Sequence, residues 1–224
     1  MVMYDNPQGQ RALLPQSLAS FLAALLLLLS AAPRGAHSYV LLRNSCPFAV
    51  TAYSRSGAGA TSTHGLAAFG GQKTLTFSSN VWTAGVIWAS RTGNTNTGQS
   101  TQIEFNLGVN MGNGHRQDFY DVSVINAHNL NVRVRPINPP RVSGLWCGSP
   151  TCRISSLPSF CQSPNYLLGT DPACINAHGP GQAVTAGTQA FKNACPTAYS
   201  YSKDDRTSVF SCQWGTDYEV RFCP

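Results

Sequence analysis

Short stretches in which apolar and polar residues alternate run through the chain from residue 39 onwards. In the clearest one, Ile103, Phe105 and Leu107 alternate with polar residues, and the stretch 119–125 repeats the pattern. Alternation with a period of two is typical of a strand that buries one face. Short strands separated by Gly, Asn and Ser predict an all-β fold, a sandwich or a barrel. Further segments of this kind are 40–43, 48–54, 74–78, 86–89, 131–135 and 218–222.

The same alternation places two carboxylates. Glu104 lies on the polar side of the strand predicted at 102–107, and Asp121 lies on the polar side of the strand predicted at 119–125. If these strands are neighbours, the two carboxylates can meet across them. Glycoside hydrolysis needs such a pair, one carboxyl as an acid with a raised pKa and the other as a nucleophile or base. Two solvated strand residues with ordinary hydrogen bonds are the alternative interpretation.

The periodicity is lost in residues 138–190, where Pro, Gly, Ser and Cys dominate. This composition is typical of loops that are held by cross-links rather than by a core of their own. We therefore expect one domain, 39–224, in which 39–137 and 191–224 form the sandwich and 138–190 form a small disulfide-rich lobe. A helix of one or two turns is predicted at 188–194, before a proline that ends it.

Residues 1–38 have the three regions of a secretory signal peptide. The leucine-rich run 21–29 follows a segment with a basic residue, and Ala36 and Ser38 fit a cleavage site before Tyr39. The run is shorter than the about 20 apolar residues that a membrane span requires. We therefore expect a cleaved signal, a secreted monomer and no transmembrane segment in the mature chain.

The chain has 8 cysteines, all of them beyond the predicted signal peptide. An even number of cysteines in a secreted chain predicts a disulfide framework. A zinc site among Cys147, Cys152 and Cys161 is the alternative, although no CxxC pair is present. The sequence has no nucleotide, metalloprotease or serine-hydrolase motif, so no cofactor and no metal is expected. The net charge of +6 comes from scattered basic residues without a nucleic-acid-binding fingerprint, which argues against a nucleic-acid partner.

Several segments are distinctive: CPTAYSYSKDDRTSVFSC and YEVRFCP near the C-terminus, DFYDVS in the middle, and the weaker NSCPFAVTAY, VIWASRT and QIEFNL. Together they resemble the thaumatin-like proteins, the pathogenesis-related defence family of plants. The resemblance implies a flattened antiparallel β-sandwich with a small disulfide-rich second lobe, in a reduced member with eight cysteines. It also implies four disulfides, namely Cys46–Cys223, Cys147–Cys212, Cys152–Cys195 and Cys161–Cys174.

Many thaumatin-like proteins bind β-1,3-glucan in an acidic cleft, and some hydrolyse it there. The resemblance places the glutamate of that cleft at Glu104 and its first aspartate at Asp121, the two candidate catalytic residues. Two further aspartates correspond to Asn126 and Thr197, and the arginine corresponds to Val86. Losing the aspartates should leave Glu104 ionised and a poor acid, although losing the arginine partly cancels that effect. With fewer carboxylates to stabilise an oxocarbenium-like transition state, hydrolysis should be weak or absent.

The resemblance supports three functions. The favoured one is a secreted, antifungal-type defence protein of the apoplast. It would bind fungal β-1,3-glucan or another cell-wall polysaccharide in a cleft between the lobes, through Glu104, Asp121, Asn126 and Thr197. The first alternative is a protein inhibitor of microbial glycosidases such as xylanase, and the second is an endo-β-1,3-glucanase. Full acidity of the cleft favours polysaccharide, whereas neutral replacements favour the inhibitor, and this chain lies between the two.

Overall fold

The computed structural model describes residues 38–161 and 163–224. These residues belong to one compact unit of the chain. The predicted signal peptide, residues 1–38, lies outside the described residues except for Ser38. Over the described part of the chain, no helix combines the length and the hydropathy needed to cross a membrane.

The strands of the described residues form three sheets. The five-stranded sheet has the order β10-β9-β14-β1-β4, the six-stranded sheet has the order β13-β7-β6-β5-β2-β3, and the small sheet has the order β11-β12-β8. The strands are β1 (Tyr39–Asn44), β2 (Val50–Ser56), β3 (Ser62–Leu66), β4 (Gln72–Thr76), β5 (Trp82–Ser90), β6 (Gln102–Gly112), β7 (His115–Ser123), β8 (Ala127–His128), β9 (Val132–Ile137), β10 (Thr151–Cys152), β11 (Tyr166–Leu167), β12 (Ala173–Ile175), β13 (Phe210–Gln213) and β14 (Asp217–Phe222).

The two large sheets enclose a common hydrophobic core. Leu42 and Val220 from the five-stranded sheet and Phe105 from the six-stranded sheet belong to the same buried cluster. The ring of Phe105 meets the ring of Tyr218 edge-on at 5.4 Å between their centres. The predicted all-β sandwich is therefore confirmed, and the alternation in 102–107 sorts core from surface residues as expected.

One pair of strands departs from the antiparallel pattern. The strands β1 and β14 run parallel, with Val40 opposite Tyr218, whereas the other pairs of named strands are antiparallel. Because parallel strands end at the same edge of a sheet, Cys46 and Cys223 follow β1 and β14 at one edge and are joined there. This disulfide spans 177 residues. Closing so long a loop stabilises the fold by roughly 5 kcal/mol in the chain-entropy account.

The segment 138–190 is organised by short elements and cross-links. The described helices are α1 (Leu157–Phe160), α2 (Ala186–Ala194) and α3 (Asp205–Ser208), beside single 3-10 turns at Ser78–Asn80 and Thr97–Gln99. Helix α2 begins two residues before the predicted segment 188–194, because the hydroxyls of Thr185 and Thr188 form a reciprocal capping box. The remaining disulfides are Cys147–Cys212, Cys152–Cys195 and Cys161–Cys174, the pairs that the resemblance implies. With every cysteine in a disulfide, none remains as a thiolate for the alternative zinc site.

Two strands of the six-stranded sheet are not evident in the sequence pattern. Strand β3 is an edge strand in which only Leu66 is buried, so it shows no alternation. Strand β13 has four residues, too few for a period to be recognised. The pattern also ends strand β6 too early, at Leu107, whereas the strand continues to Gly112 through irregular pairing.

Candidate functional site

The hairpin of β6 and β7 carries the candidate carboxylates. An Asn-Gly turn joins the two strands, with Asn113 and Gly114 at φ values of 51° and 76°. Positive φ at both central residues is the turn geometry that matches the twist of a hairpin. Because Gly112 pairs with His115 directly across this turn, the turn sets where the pairing of the two strands begins.

Between the turn and the carboxylates, β6 contains extra residues relative to β7. The pairing shifts once next to the turn and again between Asn106 and Val109. Gly108 lies in the second irregularity with φ at 69°, and a Cβ atom there would approach the carbonyl oxygen of Asn80 to 2.9 Å. A slip of one residue exchanges the two faces of a strand. These bulges therefore determine which side chains of β6 face outward.

A buried aspartate holds the second bulge. The backbone N–H of Gly108 donates to Oδ1 of Asp118 at 2.8 Å, and the hydroxyl of Tyr218 donates to Oδ2 at 3.2 Å. Burial raises the pKa of Asp118 to about 6, although these hydrogen bonds lower it in part. Asp118 thus connects Tyr218, a core side chain of β14, with the bulge at Gly108 that sets the register of β6.

Glu104 and Asp121 are directly opposite each other on β6 and β7. The prediction that two carboxylates meet across neighbouring strands is confirmed. Directly opposed residues of an antiparallel pair have Cβ atoms about 4.5–5.5 Å apart. Both residues are half-buried. Among the residues that the structure describes, nothing donates a hydrogen bond to the buried Oδ1 of Asp121.

Burial sets the pKa values of this pair. Burial raises the pKa of Glu104. It also raises the pKa of Asp121 well above its ordinary value, and the negative charge of Glu104 raises it further. Since two adjacent carboxylates resist ionising together, the pair favours a state in which Asp121 keeps a proton and Glu104 carries the charge. The sequence-based expectation that Glu104 is ionised rested on neighbouring charges, and the structure adds the upward effect of burial on the pKa of Glu104.

Tyr199 lies close to the pair although it is distant in sequence. Its segment runs along the end of β7. There the backbone N–H of Tyr199 donates to the carbonyl oxygen of Val122, and the carbonyl oxygen of Tyr199 accepts from the N–H of Val124. The Tyr199 hydroxyl donates to Oδ1 of Asp205 at 2.7 Å. Burial, that hydrogen bond and the negative charges nearby, including Asp121, raise the pKa of Tyr199. The alternation of single strands gives no signal for such a neighbour.

Arg55 lies one strand beyond Val86, the position that corresponds to the arginine of the family's cleft. Val86 is opposite Glu104, and Arg55 of β2 is opposite Val86, so the three stand in one row across the sheet. The guanidinium of Arg55 lies 5.7 Å from the ring centre of Trp88, which stacks on Tyr53. Arg55 has no signal in the sequence pattern, because the row runs across strands rather than along the chain.

The two neutral cleft candidates occupy different surroundings. The hydroxyl of Thr197 accepts from the N–H of Thr151 at 3.0 Å and donates to the oxygen of Thr151 at 3.1 Å. Thr197 therefore fastens its segment to β10. Asn126 follows β7, and its carbonyl accepts from the N–H of Asn176 at 2.8 Å. Of the four predicted cleft residues, the structure brings together Glu104 and Asp121.

A surface depression of about 590 Å³ lies near the carboxylate pair, although neither Glu104 nor Asp121 lines it. Its lining includes Asn106 and Phe119, which are opposite each other and lie two residues along the strands from the pair, on the same outer face. Asn110 and Arg116 also line it. The guanidinium of Arg116 lies 5.6 Å from the ring centre of Trp214, whose exposed fraction is 45%. The outer face of the six-stranded sheet thus combines acidic groups, amides and aromatic rings.

A sequence model of the Thaumatin family matches residues 44–224. The chain belongs to the thaumatin family. The match includes the segment that carries Glu104 and Asp121 as well as all eight disulfide-bonded cysteines.

Curated relatives within the thaumatin family come from plants. The chain is 36% identical over 118 residues to the pathogenesis-related 5 protein Cup a 3 of Hesperocyparis arizonica, covering 48% of this chain and 56% of that protein. It is 36% identical over 114 residues to a thaumatin-like protein of Actinidia deliciosa, covering 48% of each. The chain spans about half the length of the curated relatives it matches.

Two solved structures are similar to this chain at low identity. The thaumatin-like xylanase inhibitor TLXI has 12% sequence identity and a TM-score of 0.43, covering 83% of this chain and 99% of that one. The protein elicitor MoHrip2 from Magnaporthe oryzae has 14% identity and a TM-score of 0.45, covering 84% of this chain and 99% of that one. A likeness at this level carries no argument about function.

Proposed function

We propose that this chain is a secreted plant defence protein that binds fungal β-1,3-glucan or a related cell-wall polysaccharide, with weak or no hydrolysis. The observation that carries the proposal is that the Glu104–Asp121 pair and the nearby depression lie on one sheet face, two residues apart along β6 and β7. The disulfide framework supports an extracellular site of action such as the apoplast, because such bonds persist in oxidising compartments.

The face offers the two kinds of contact that a sugar chain needs. The carboxylate of Glu104 can accept hydrogen bonds from sugar hydroxyls, and charge-assisted bonds of this kind are stronger than neutral ones. The ring of Phe119 offers an apolar surface in the depression, and Asn110 adds an amide that both donates and accepts. A groove that combines apolar surface with a few polar groups is typical of ligand sites.

The surroundings of the carboxylate pair disfavour hydrolysis more than its spacing does. An inverting glycosidase separates its carboxyl groups by about 6.5–9.5 Å to admit water, and a retaining one separates them by about 5–5.5 Å on either side of the scissile bond. Glu104 and Asp121 are directly opposite each other across one pair of strands, where Cβ atoms are about 4.5–5.5 Å apart, so their spacing is nearer to the retaining one. The neutral Asn126 and Thr197, however, leave fewer carboxylates to stabilise positive charge at the sugar.

The binding test is retention of the purified protein on insoluble β-1,3-glucan. Phe119→Ala should weaken retention about tenfold, since an aromatic contact contributes roughly 0.5–1.5 kcal/mol beyond its buried area. The matched control is Phe69→Ala, which removes a phenylalanine with an exposed fraction of 79% that does not line the depression. Equal retention of wild type and Phe119→Ala would contradict this site.

The catalytic test uses soluble β-1,3-glucan with wild type, Glu104→Gln and Asp121→Asn. We expect reducing-sugar release near background for all three proteins. Robust wild-type turnover that collapses in both variants would instead establish the endo-glucanase alternative. Inhibition of a microbial xylanase by wild type without any glucan retention would establish the inhibitor alternative.

A further inference from the structure

The outer face of the five-stranded sheet carries an unusual excess of arginine. Its centre is Glu219, whose exposed fraction is 3% although it is charged. Four arginines from three adjacent strands surround this carboxylate. The nearest contacts to Glu219 are Arg221 Nη2 at 3.0 Å, Arg43 Nε at 3.3 Å, Arg135 Nη2 at 3.7 Å and Arg133 Nη2 at 3.9 Å. We call these five residues the basic face.

Three of the arginines stand side by side. Arg43 of β1 is opposite Arg221 of β14, and Arg221 is opposite Arg133 of β9. Neighbouring strands are about 4.8 Å apart, so the row extends roughly 10 Å across the sheet. Like charges that are directly opposite destabilise a sheet. Burial lowers the pKa of Arg133, and the positive charge of Arg221 lowers it further.

One glutamate cannot neutralise four arginines, so the basic face keeps a surplus of three positive charges. The surplus is accessible to solvent. The exposed fractions of the side chains are 34% for Arg43, 34% for Arg133, 51% for Arg135 and 28% for Arg221, against 4% for Glu219. A role limited to pairing Glu219 would need one or two of these arginines, which leaves the others available for an external anion.

Glu219 shows which anion the basic face accommodates. Its Oε2 accepts from Nη2 of Arg221 at 3.1 Å, while Nε of Arg43 approaches the same oxygen from the neighbouring strand. A carboxylate is thus already bound between guanidinium groups of two strands. Guanidinium forks match the planar geometry of carboxylates. Arg135, the most exposed of the four arginines, presents the same group to solvent.

The surroundings of the arginine row favour a sugar polymer. At its two ends lie Gln72, opposite Arg43, and Thr151, opposite Arg133. These neutral polar side chains suit hydroxyl groups. The apolar side chain nearest in register is Leu41, which is opposite Glu219 on the same face and is half-buried. The arginines outnumber it, whereas membrane-surface binding relies on several apolar anchors. A row of charges on a sheet suits repeated contacts with a linear chain.

We propose that the basic face binds a linear polysaccharide that carries carboxylates, a polyuronate. The arginines of β1, β9 and β14 engage successive carboxylates, and Gln72 and Thr151 contact hydroxyls at the ends of the row. This surface belongs to the five-stranded sheet, whereas the depression beside Glu104 belongs to the six-stranded sheet. The protein therefore presents separate surfaces for an acidic and a neutral polysaccharide.

The test is binding of the purified protein to polygalacturonate, measured by co-sedimentation or calorimetry at two salt concentrations. We expect saturable binding that weakens with salt and is lost on the fully methyl-esterified polymer, which keeps the sugars and removes the charges. Arg133→Gln with Arg135→Gln should weaken binding about tenfold. This double variant leaves Glu219 paired with Arg43 and Arg221, so the fold should persist.

Two further variants keep the result unambiguous. Arg133→Lys with Arg135→Lys retains the charge but removes the forks, and it should bind with intermediate affinity. Arg141→Gln removes an exposed arginine that is outside the basic face, and it should bind as wild type does. Equal binding to the esterified polymer, equal losses in all three variants, or stronger binding to duplex DNA or anionic vesicles than to polygalacturonate would overturn the proposal.

Discussion

The outer faces of the two large sheets each bring like charges together, but the repulsion is relieved in different ways. On the six-stranded sheet, Glu104 and Asp121 are directly opposite each other. On the five-stranded sheet, Arg43, Arg221 and Arg133 are opposite one another in the same geometry. Carboxylates can relieve the repulsion by keeping a proton, whereas arginine stays charged in proteins. The acidic face can therefore lower its charge by binding a proton. The basic face instead needs an anion, which Glu219 supplies within the protein and which the proposed polyuronate would supply from outside.

The largest expected effect on stability comes from removing the negative charge at the centre of the basic face. Glu219→Gln leaves four arginines around a buried neutral amide, and removing one partner of a buried ion pair costs about 3–5 kcal/mol. Urea unfolding should show this loss, with part of it recovered at high sulfate concentration. Asp121→Asn is the matched control, the same carboxylate-to-amide change on the acidic face. A loss below about 1 kcal/mol for Glu219→Gln would mean that the arginines do not need their glutamate.

The disulfide that joins the edge of β1 to the edge of β14 supports the basic face in particular. Replacing Cys46 and Cys223 together by serine should cost about 2–5 kcal/mol. Polygalacturonate binding should weaken beyond what partial unfolding explains, while glucan retention by the folded fraction should not change. Peptide mapping without reduction checks that the wild-type bond is Cys46–Cys223. Equal damage to both binding activities would show that the two faces are not independent.

The pH dependence of stability tests the acidic side. Burial raises the pKa of Asp121 and raises that of Asp118 to about 6, so the folded state holds protons that the unfolded chain has released. Stability from these groups is present at acidic pH and is lost as the pH rises from about 4 through the raised pKa values. For Asp118 the loss is on the order of 2–3 kcal/mol by pH 7.

The measurement is the free energy of unfolding at pH values between 4 and 7. Asp118→Asn and Asp121→Asn should each flatten the decline, and Asp171→Asn, which changes a half-buried aspartate elsewhere, serves as the control. A decline of equal steepness in wild type and both variants would show that these carboxyls do not keep protons in the folded state.

The smallest expected effect concerns the segment that connects the two faces. Thr197 bonds to Thr151 of the five-stranded sheet, while Tyr199 bonds to Val122 at the six-stranded sheet. Thr197→Val removes both hydroxyl bonds and should cost about 1–2 kcal/mol. Thermal unfolding measures this, and Thr63→Val, at an exposed position of β3, is the hydroxyl control. A neutral result would indicate that the bridge between the faces does not depend on this residue.

Alternation along the chain was enough to predict the acidic pair, because Glu104 and Asp121 lie on consecutive strands of one hairpin. It could not predict the neighbours that come from elsewhere. Arg55 approaches from two strands away and Tyr199 from beyond the disulfide-rich segment. Their positions depend on the order of strands in the sheet, and the periodicity within one strand gives no information about that order.

The basic face was harder still to recognise. Its residues come from β1, β9 and β14, and in the sequence these scattered arginines indicate only a general basic charge. Only the parallel pairing of β1 with β14 brings Arg43 next to Arg221. The resemblance supplied the disulfide pairs, but it carried no information on Glu219. Likewise, the pKa of Glu104 depends on burial, which neighbouring sequence positions do not reveal.

The position of β14 in its sheet also constrains the order of events during synthesis. This strand follows every other described strand in the sequence, yet it lies between β9 and β1 in the interior of the sheet. On the ribosome, β1 and β9 must therefore wait with unpaired edges until β14 emerges from the exit tunnel. Such edges invite aggregation. We expect early translation termination before residue 217 to yield a chain that chaperones retain, because its two half-sheets have no strand to join them.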